Sequence, residues 1–436
     1  MTAGLVIFGL MLALMALRVP IAAAMFIPGA LGYAWMSNDA ALLNLIKGSA
    51  VARLTVYELS VIPLFLLMGQ FATQGGLSRA LFRAASAWVG HWRGGLAFAA
   101  ILAAAAFGSV CGSSVATCAT ITQVAYGEMK AAGYHGRLST AVLATGGTLG
   151  ILIPPSVPLI VYAILTEQNI AKLFAAAFIP GLIATAGYLA VIAITCRLQP
   201  HLAVPGPRHS WRERWQALLG VWPLLVIFVV VFGGIYGGWF SPTEGASIGA
   251  LATLTSGLLS GELRGDGLKR ALLGTAETTA MVFMIFLGAD MMNSSLALTQ
   301  MPTHLAQWVG GLPVPPLVIV AGVLAFYVVL GCVMDELSML LLTIPVIFPT
   351  IMGLDLFGLA PEPKAIWFGI LVLMTVGIGM LAPPVGLNVY VVNGMARDVP
   401  MNETYKGVMP FLASDVLRLL LLLFVPAVTV GVLRWL

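Results

Sequence analysis

Gly147-Thr148-Leu149-Gly150-Ile151-Leu152-Ile153-Pro154-Pro155-Ser156 lies in the middle of one apolar run, and Gly377-Ile378-Gly379-Met380-Leu381-Ala382-Pro383-Pro384 in the middle of another. Both contain Gly-x-x-x-Pro-Pro, and the copies are 229 residues apart. Adjacent prolines remove two N–H donors and clash with the preceding turn, so a helix unwinds there. In hydrocarbon the freed carbonyls need a cation, water or neighbouring protein as partner. One such pair reads equally well as a plain kink. Two at matching positions, each with upstream glycines (Gly146, Gly147, Gly150; Gly377, Gly379), point to a binding element.

The surrounding chain is that of a membrane protein. Of its 436 residues 60% are hydrophobic and 9% charged, against about 25% charged in a soluble domain. This excludes an ordinary soluble globule, a disordered chain and a nucleic-acid binder. Apolar runs fall near 3–17, 21–36, 56–73, 94–127, 138–166, 174–195, 217–239, 244–260, 271–299, 314–352, 365–396 and 408–433. A crossing takes about 20 residues, so 94–127 and 314–352 are too long for one. Each is interrupted, by Gly108–Ser114 and by Gly331–Glu336, and reads as a re-entrant hairpin. The N-terminal stretch Gly4–Leu17 has no basic residue before it and reads as part of the mature protein, not a signal peptide.

Basic residues set the orientation. The loop 197–216 carries Arg197, Arg208, Arg212 and Arg214 and is placed in the cytoplasm. Threading outward puts Arg79, Arg83, Arg93, Lys130, Arg137, Arg18, Arg264, Lys269, Arg270, Arg397 and Lys406 on the same side, 15 of 21 Lys and Arg in all. Both termini then lie outside, and the two halves carry the same elements in opposite orientation. The chain divides into scaffold elements at 1–93 and 197–310 and transport elements at 94–196 and 311–436. An inverted repeat with interrupted helices is the sequence mark of a secondary transporter, with its substrate site at the interruptions.

Ser109, Ser113, Ser114, Thr117 and Thr120 make the first tip rich in hydroxyls. Oxygen ligands suit a hard monovalent cation, and hydroxyls with helix N-termini suit a carboxylate. Small-residue packing explains Thr117 and Thr120 well but Gly108–Ser114 poorly. Asp335 and Glu336 are acids inside an apolar run, either cation ligands or helix caps. Asp290 and Glu277 are expected at a polar interface between helices, and Asp415 and Arg418, at i and i+3, as a pair. Ser241-Pro242-Thr243-Glu244 forms a capping box. Segments 40–56 and 77–93 are amphipathic, lying along the membrane interface or packing on protein. Cys111, Cys118, Cys196 and Cys332 form no CxxC and read as packed small hydrophobes. With no HExxH, GxSxG or P-loop, an enzyme reading has little support.

Gly108–Ser114, Gly147–Ser156, Phe240–Glu244, Gly331–Pro345 and Ala382–Asn388 together resemble the large membrane subunit (DctM-like) of tripartite ATP-independent periplasmic (TRAP) transporters. The likeness runs over nearly the whole chain, with the motifs in family order. It implies an all-α polytopic membrane protein of elevator type, with an inverted-topology repeat, two re-entrant hairpins and two broken helices. It further implies a bacterial inner-membrane subunit that works with a small membrane subunit and a periplasmic solute-binding protein. Sodium is then the coupling ion, no cofactor is needed, and the substrate is a small carboxylate. By motif, sodium and substrate sites fall on Ser109, Ser113, Ser114, Gly150, Pro154 and Pro155, and on Gly331, Asp335, Gly379, Pro383 and Asn388. Cys111 stands where the family often has Ser, and a thiol is a poor sodium ligand. A stand-alone sodium–carboxylate symporter of similar architecture stays open as an alternative. A passive channel would show a continuous polar face along several helices, which the sequence lacks.

Overall fold

A computed structural model describes residues 2–435. In chain order the first half is α1 (Thr2–Ala16), α2 (Ile21–Met36), α3 (Asp39–Leu54), α4 (Val61–Gln74), α5 (Leu77–Val89), α6 (Gly95–Cys111), α7 (Ser114–Ala131), α8 (Gly136–Leu152), α9 (Val157–Leu165) and α10 (Ile170–Leu198). The second is α11 (Trp211–Leu219), α12 (Trp222–Tyr236), α13 (Pro242–Leu259), α14 (Asp266–Leu298), α15 (Met301–Gly310), α16 (Pro316–Gly331), α17 (Glu336–Met352), α18 (Pro361–Gly379), α19 (Leu387–Met395), α20 (Met401–Phe424) and α21 (Ala427–Val430). Every regular element among the described residues is a helix, and there are no strands. By length and composition five helical segments can cross a membrane, or seven if two bent pairs count as one crossing each.

Local chemistry sets the breaks. Gly112 ends α6 in the left-handed region at φ 68° and donates its N–H to Gly108 at 2.9 Å, a conformation glycine adopts without a Cβ penalty. At the first proline pair, Ile153 is already extended, as the residue before proline must be, and α9 restarts at Val157. At the second, α18 stops at Gly379 and α19 restarts after Gly386 at φ 56°. Both Pro-Pro peptide bonds are cis. The hairpin helices α6, α7, α16 and α17 have 17, 18, 16 and 17 residues, at the short end of what a full crossing takes, about 17–25.

Burial orders the layers. Of the most apolar stretch of α8–α9, and likewise of α18, 89% is buried, against 33–39% for α10, α14 and α20. The two broken helices therefore form the centre of the molecule. Tyr162 of α9 donates to Ala365 O at 2.6 Å, and Trp367 of α18 to Leu422 O at 2.8 Å, so the polar ends of these two buried aromatic side chains both find acceptors. Lys364 is buried and donates to Met352 O and Leu354 O, closing the C-terminal end of α17.

Several local expectations resolve here. The capping box at Ser241 and Glu244 forms, and a second one forms at Ser210 and Glu213. Asp415 and Arg418 pair at 2.7 Å, both buried. Asp290 lies between helices, gripped by Arg53 of α3 through two guanidinium nitrogens. Glu277 departs from expectation: it is exposed on the outer face of α14, not buried between helices of this chain. Of the amphipathic segments, α5 packs on protein, with Leu77, Leu81, Phe82 and Ala84 buried toward α6, whereas α3 buries no residue. All four cysteines are free and buried.

Candidate functional site at the hairpin tips and helix breaks

In each half the hairpin's first helix meets the broken helix glycine to glycine. A Cβ on Gly108 would lie 2.7 Å from Gly150 Cα, and one on Gly379 would lie 2.6 Å from Gly331 Cα. Both distances are impossible for real side chains, so the backbones touch only because neither residue has one. Gly150 also faces Ser113 O and Thr117 Oγ1, at 2.7 and 2.6 Å from an added Cβ. The repeated Gly-x-x-x-Pro-Pro element thus does two tasks: its glycine admits the hairpin and its prolines open the helix.

The first tip sits against the first break through Val157 N–H, which donates to Gly112 O at 3.1 Å. It also meets the second half. Asn388 at the start of α19 is fully buried and donates from Nδ2 to Ser114 Oγ at 2.8 Å and to Ala144 O at 3.2 Å. Gly147 makes room for it, since a Cβ there would lie 2.9 Å from Asn388 Nδ2. Ser113 Oγ donates to Glu336 Oε1 at 3.4 Å, linking the two tips directly.

Of the two acids at the second tip, Asp335 takes the cap. Its carboxylate accepts from Leu337 N and Ser338 N, each at 3.2 Å, satisfying first-turn donors of α17. Glu336 is the one turned toward the first tip, 4% exposed, with Oε2 unpartnered. The sequence held cation ligand and helix cap about level for these acids, and the family likeness put Asp335 and not Glu336 in the site; here Asp335, the residue before the helix start, caps, and Glu336 is the one that faces the other tip. Thr117 and Ser156, absent from the sequence-derived set, join the same region with buried hydroxyls that have no partner.

Four buried oxygens without partners thus belong to the tips and breaks: Thr117 Oγ1, Ser156 Oγ, Glu336 Oε2 and Asn388 Oδ1. The last two can only accept, the Glu when ionised, and buried acceptors without donors are costly. Oxygen ligands of this kind, hydroxyl, carboxylate and amide, suit an alkali cation. Ser109 stands one turn back and donates to Ala106 O of its own helix at 2.7 Å, leaving only lone pairs for a ligand. Gly331, Gly379 and Pro383 cluster at the second tip, where Cys332 Sγ lies 3.6 Å from Pro383 O. Pro154 and Pro155 are buried, whereas Pro383 and Pro384 are exposed. Tyr405 donates to Pro384 O and Val385 O at 3.0 and 2.7 Å, tying that exposed loop to α20.

Outside the spans, Asp398 follows α19 and receives Tyr126 Oη at 2.7 Å and Lys130 Nζ at 2.8 Å. Hydrogen bonds from Lys130 and then Tyr126 hold its carboxyl down at about 2. This contact pins the end of α7 to the second broken helix. A groove of about 730 Å³ lies elsewhere, among Arg79, Arg83, Trp222 and Leu259 on the outside of α5, α12 and α13.

Paired helical hairpins, paired proline breaks and a buried oxygen-rich meeting point define a membrane transport protein. The fold matches that of the Alcanivorax borkumensis YdaH transporter, with TM-score 0.63 and 17% identity over 89% of each chain. The family model for the tripartite ATP-independent periplasmic transporter, DctM component, matches residues 8–428, and the chain belongs to that family: it is a large permease subunit of a TRAP transporter. It is 35% identical to the C4-dicarboxylate TRAP transporter large permease protein DctM of Pseudomonas aeruginosa, over 87% of each chain. It is 29% identical to the sialic acid TRAP transporter large permease protein SiaM of Vibrio cholerae, over 86% of this chain and 85% of that one. Against the 2,3-diketo-L-gulonate TRAP transporter large permease protein YiaN of Escherichia coli it is 27% identical over 99% of both. The chain is a membrane transporter, not an enzyme.

Proposed function

We propose that this subunit imports an organic acid across the bacterial inner membrane, driven by sodium and supplied by a periplasmic binding protein, together with a small membrane subunit. The observation that carries the sodium reading is the set of unpartnered buried oxygens at the tips and breaks, above all Glu336 Oε2 and Asn388 Oδ1. A sodium ion there takes up the acceptors that no protein donor reaches. The three relatives described above are named for carboxylate substrates, and helix N-termini at the tips suit that charge. The hairpins are re-entrant, a reading supported by the break in the middle of each run and by the flanking basic residues. Tips and broken helices form one body that moves as an elevator against α1–α5 and α11–α15. With Pro383 and Pro384 exposed beside Tyr405, at the cytoplasmic start of α20, the state described here opens inward. Both chain termini lie on the periplasmic side.

The test is uptake into proteoliposomes holding this chain and its small subunit, with the binding protein and substrate outside. An inward sodium gradient should drive accumulation without ATP. Undiminished accumulation with choline in place of sodium would overturn the sodium coupling.

A further inference from the structure

Glu277 is an acid well inside an apolar run to which the fold gives no partner among the described residues. It lies seven residues beyond Arg270, about 10 Å along α14 at 1.5 Å per residue, and so inside the apolar stretch. Asp290 on the same helix has Arg53; Glu277 is exposed and forms no hydrogen bond or ion pair among the described residues. Its neighbours on that face are apolar and equally open: Leu273 is 51% exposed and Met281 50%. Ala276 and Ala280, also exposed, add a pair of small residues four apart on the same face.

An ionised carboxylate facing lipid is costly, and such residues turn toward another protein group that neutralises them. Small residues four apart let a second helix approach closely, and methionine adapts its shape to a partner. We infer that this face of α14 docks a transmembrane helix of the small membrane subunit, and that a Lys or Arg on that helix pairs with Glu277. The inference rests on the proposed assembly and adds where the subunits meet. The charge selects the occupant. A second copy of this chain would set Glu277 against its own twin or an apolar face, and lipid tails offer no cation.

The experiment co-expresses the tagged chain with its small subunit and measures how much small subunit co-purifies in mild detergent. A photo-crosslinking residue at Met281 reports the neighbour in the membrane. The parent should retain the small subunit in full and crosslink to it. Glu277→Lys should lower retention about tenfold or more, and Glu277→Gln by less, while the variant chain alone keeps its melting temperature. If Glu277→Lys fails to fold, Glu277→Gln and the crosslink decide. Full retention in Glu277→Lys, or a Met281 crosslink to lipid or to a second copy only, would overturn the docking face. A parent that carries no small subunit would overturn the assembly and the face with it.

Discussion

Pro154 and Pro155 are buried on every side, whereas Pro383, Pro384 and Val385 of the matching element are exposed. Behind each pair the backbone is the same: a glycine one turn upstream touches a glycine of the hairpin, Gly150 on Gly108 and Gly379 on Gly331. The tips differ again in side chains. Ser113 starts α7 without a side-chain cap, while Asp335 caps α17 with two bonds. Repetition has kept the backbone devices, which only Gly and Pro supply, and has let the side chains diverge. One break is part of the packed core and the other lies at the surface of this chain.

The largest effect should separate the two breaks. Replacing Pro383 and Pro384 together by Ala restores two donors at an exposed site, and each interior Pro opposes helix by about 3 kcal/mol. The helix should run on through 380–386 at equal or higher thermal stability, with the sodium-dependent thermal shift and uptake both lost. The same exchange at Pro154 and Pro155 should lower the melting temperature, because it leaves space among buried side chains. Retained uptake and sodium response in the Pro383/Pro384 variant would reduce that break to a kink.

Next comes the glycine contact. Gly379→Ala sets a Cβ 2.6 to 2.8 Å from backbone atoms of Gly331 and Val328, which have no easy way to yield. Overpacking of this kind costs about 1–3 kcal/mol, and uptake should fall with it. Two residues away, Gly377→Ala meets only Thr148 and Ile151 side chains at 3.6 Å or more and should leave melting temperature and uptake near those of the parent. Equal behaviour of the two variants would mean that the glycine-to-glycine approach is not what holds the second tip.

The smallest effect tests the tips. Asp335→Ala removes a cap and should cost about 1 kcal/mol of stability. Ser113→Ala removes no cap, so its melting temperature should hold while the sodium concentration for half-maximal uptake rises. If Ser113→Ala loses stability as Asp335→Ala does, the hydroxyl serves packing and not the ion.

Much of the fold was legible because its determinants are local. Apolar length, basic loops and the Gly and Pro positions each act through the nearest turn of backbone, so hairpin tips, breaks and the repeat could be located within a few residues. Residues with local structural duties were legible for the same reason: Gly150, Gly331, Gly379 and the proline pairs shape their own segment of chain. What the sequence could not decide was which groups meet across the molecule. Ser113 reaches Glu336 over 223 residues of chain, Asn388 reaches Ser114 over 274, and Arg53 finds Asp290 over 237. No pattern within one helix specifies such a pairing. Whether Asp335 or Glu336 faces the other tip depends on the cap geometry of α17 and on where α7 packs. Likewise Asp290 and Glu277 sit on one long helix, α14. Only the placement of α3 gave the first its partner and left the second on the outer face.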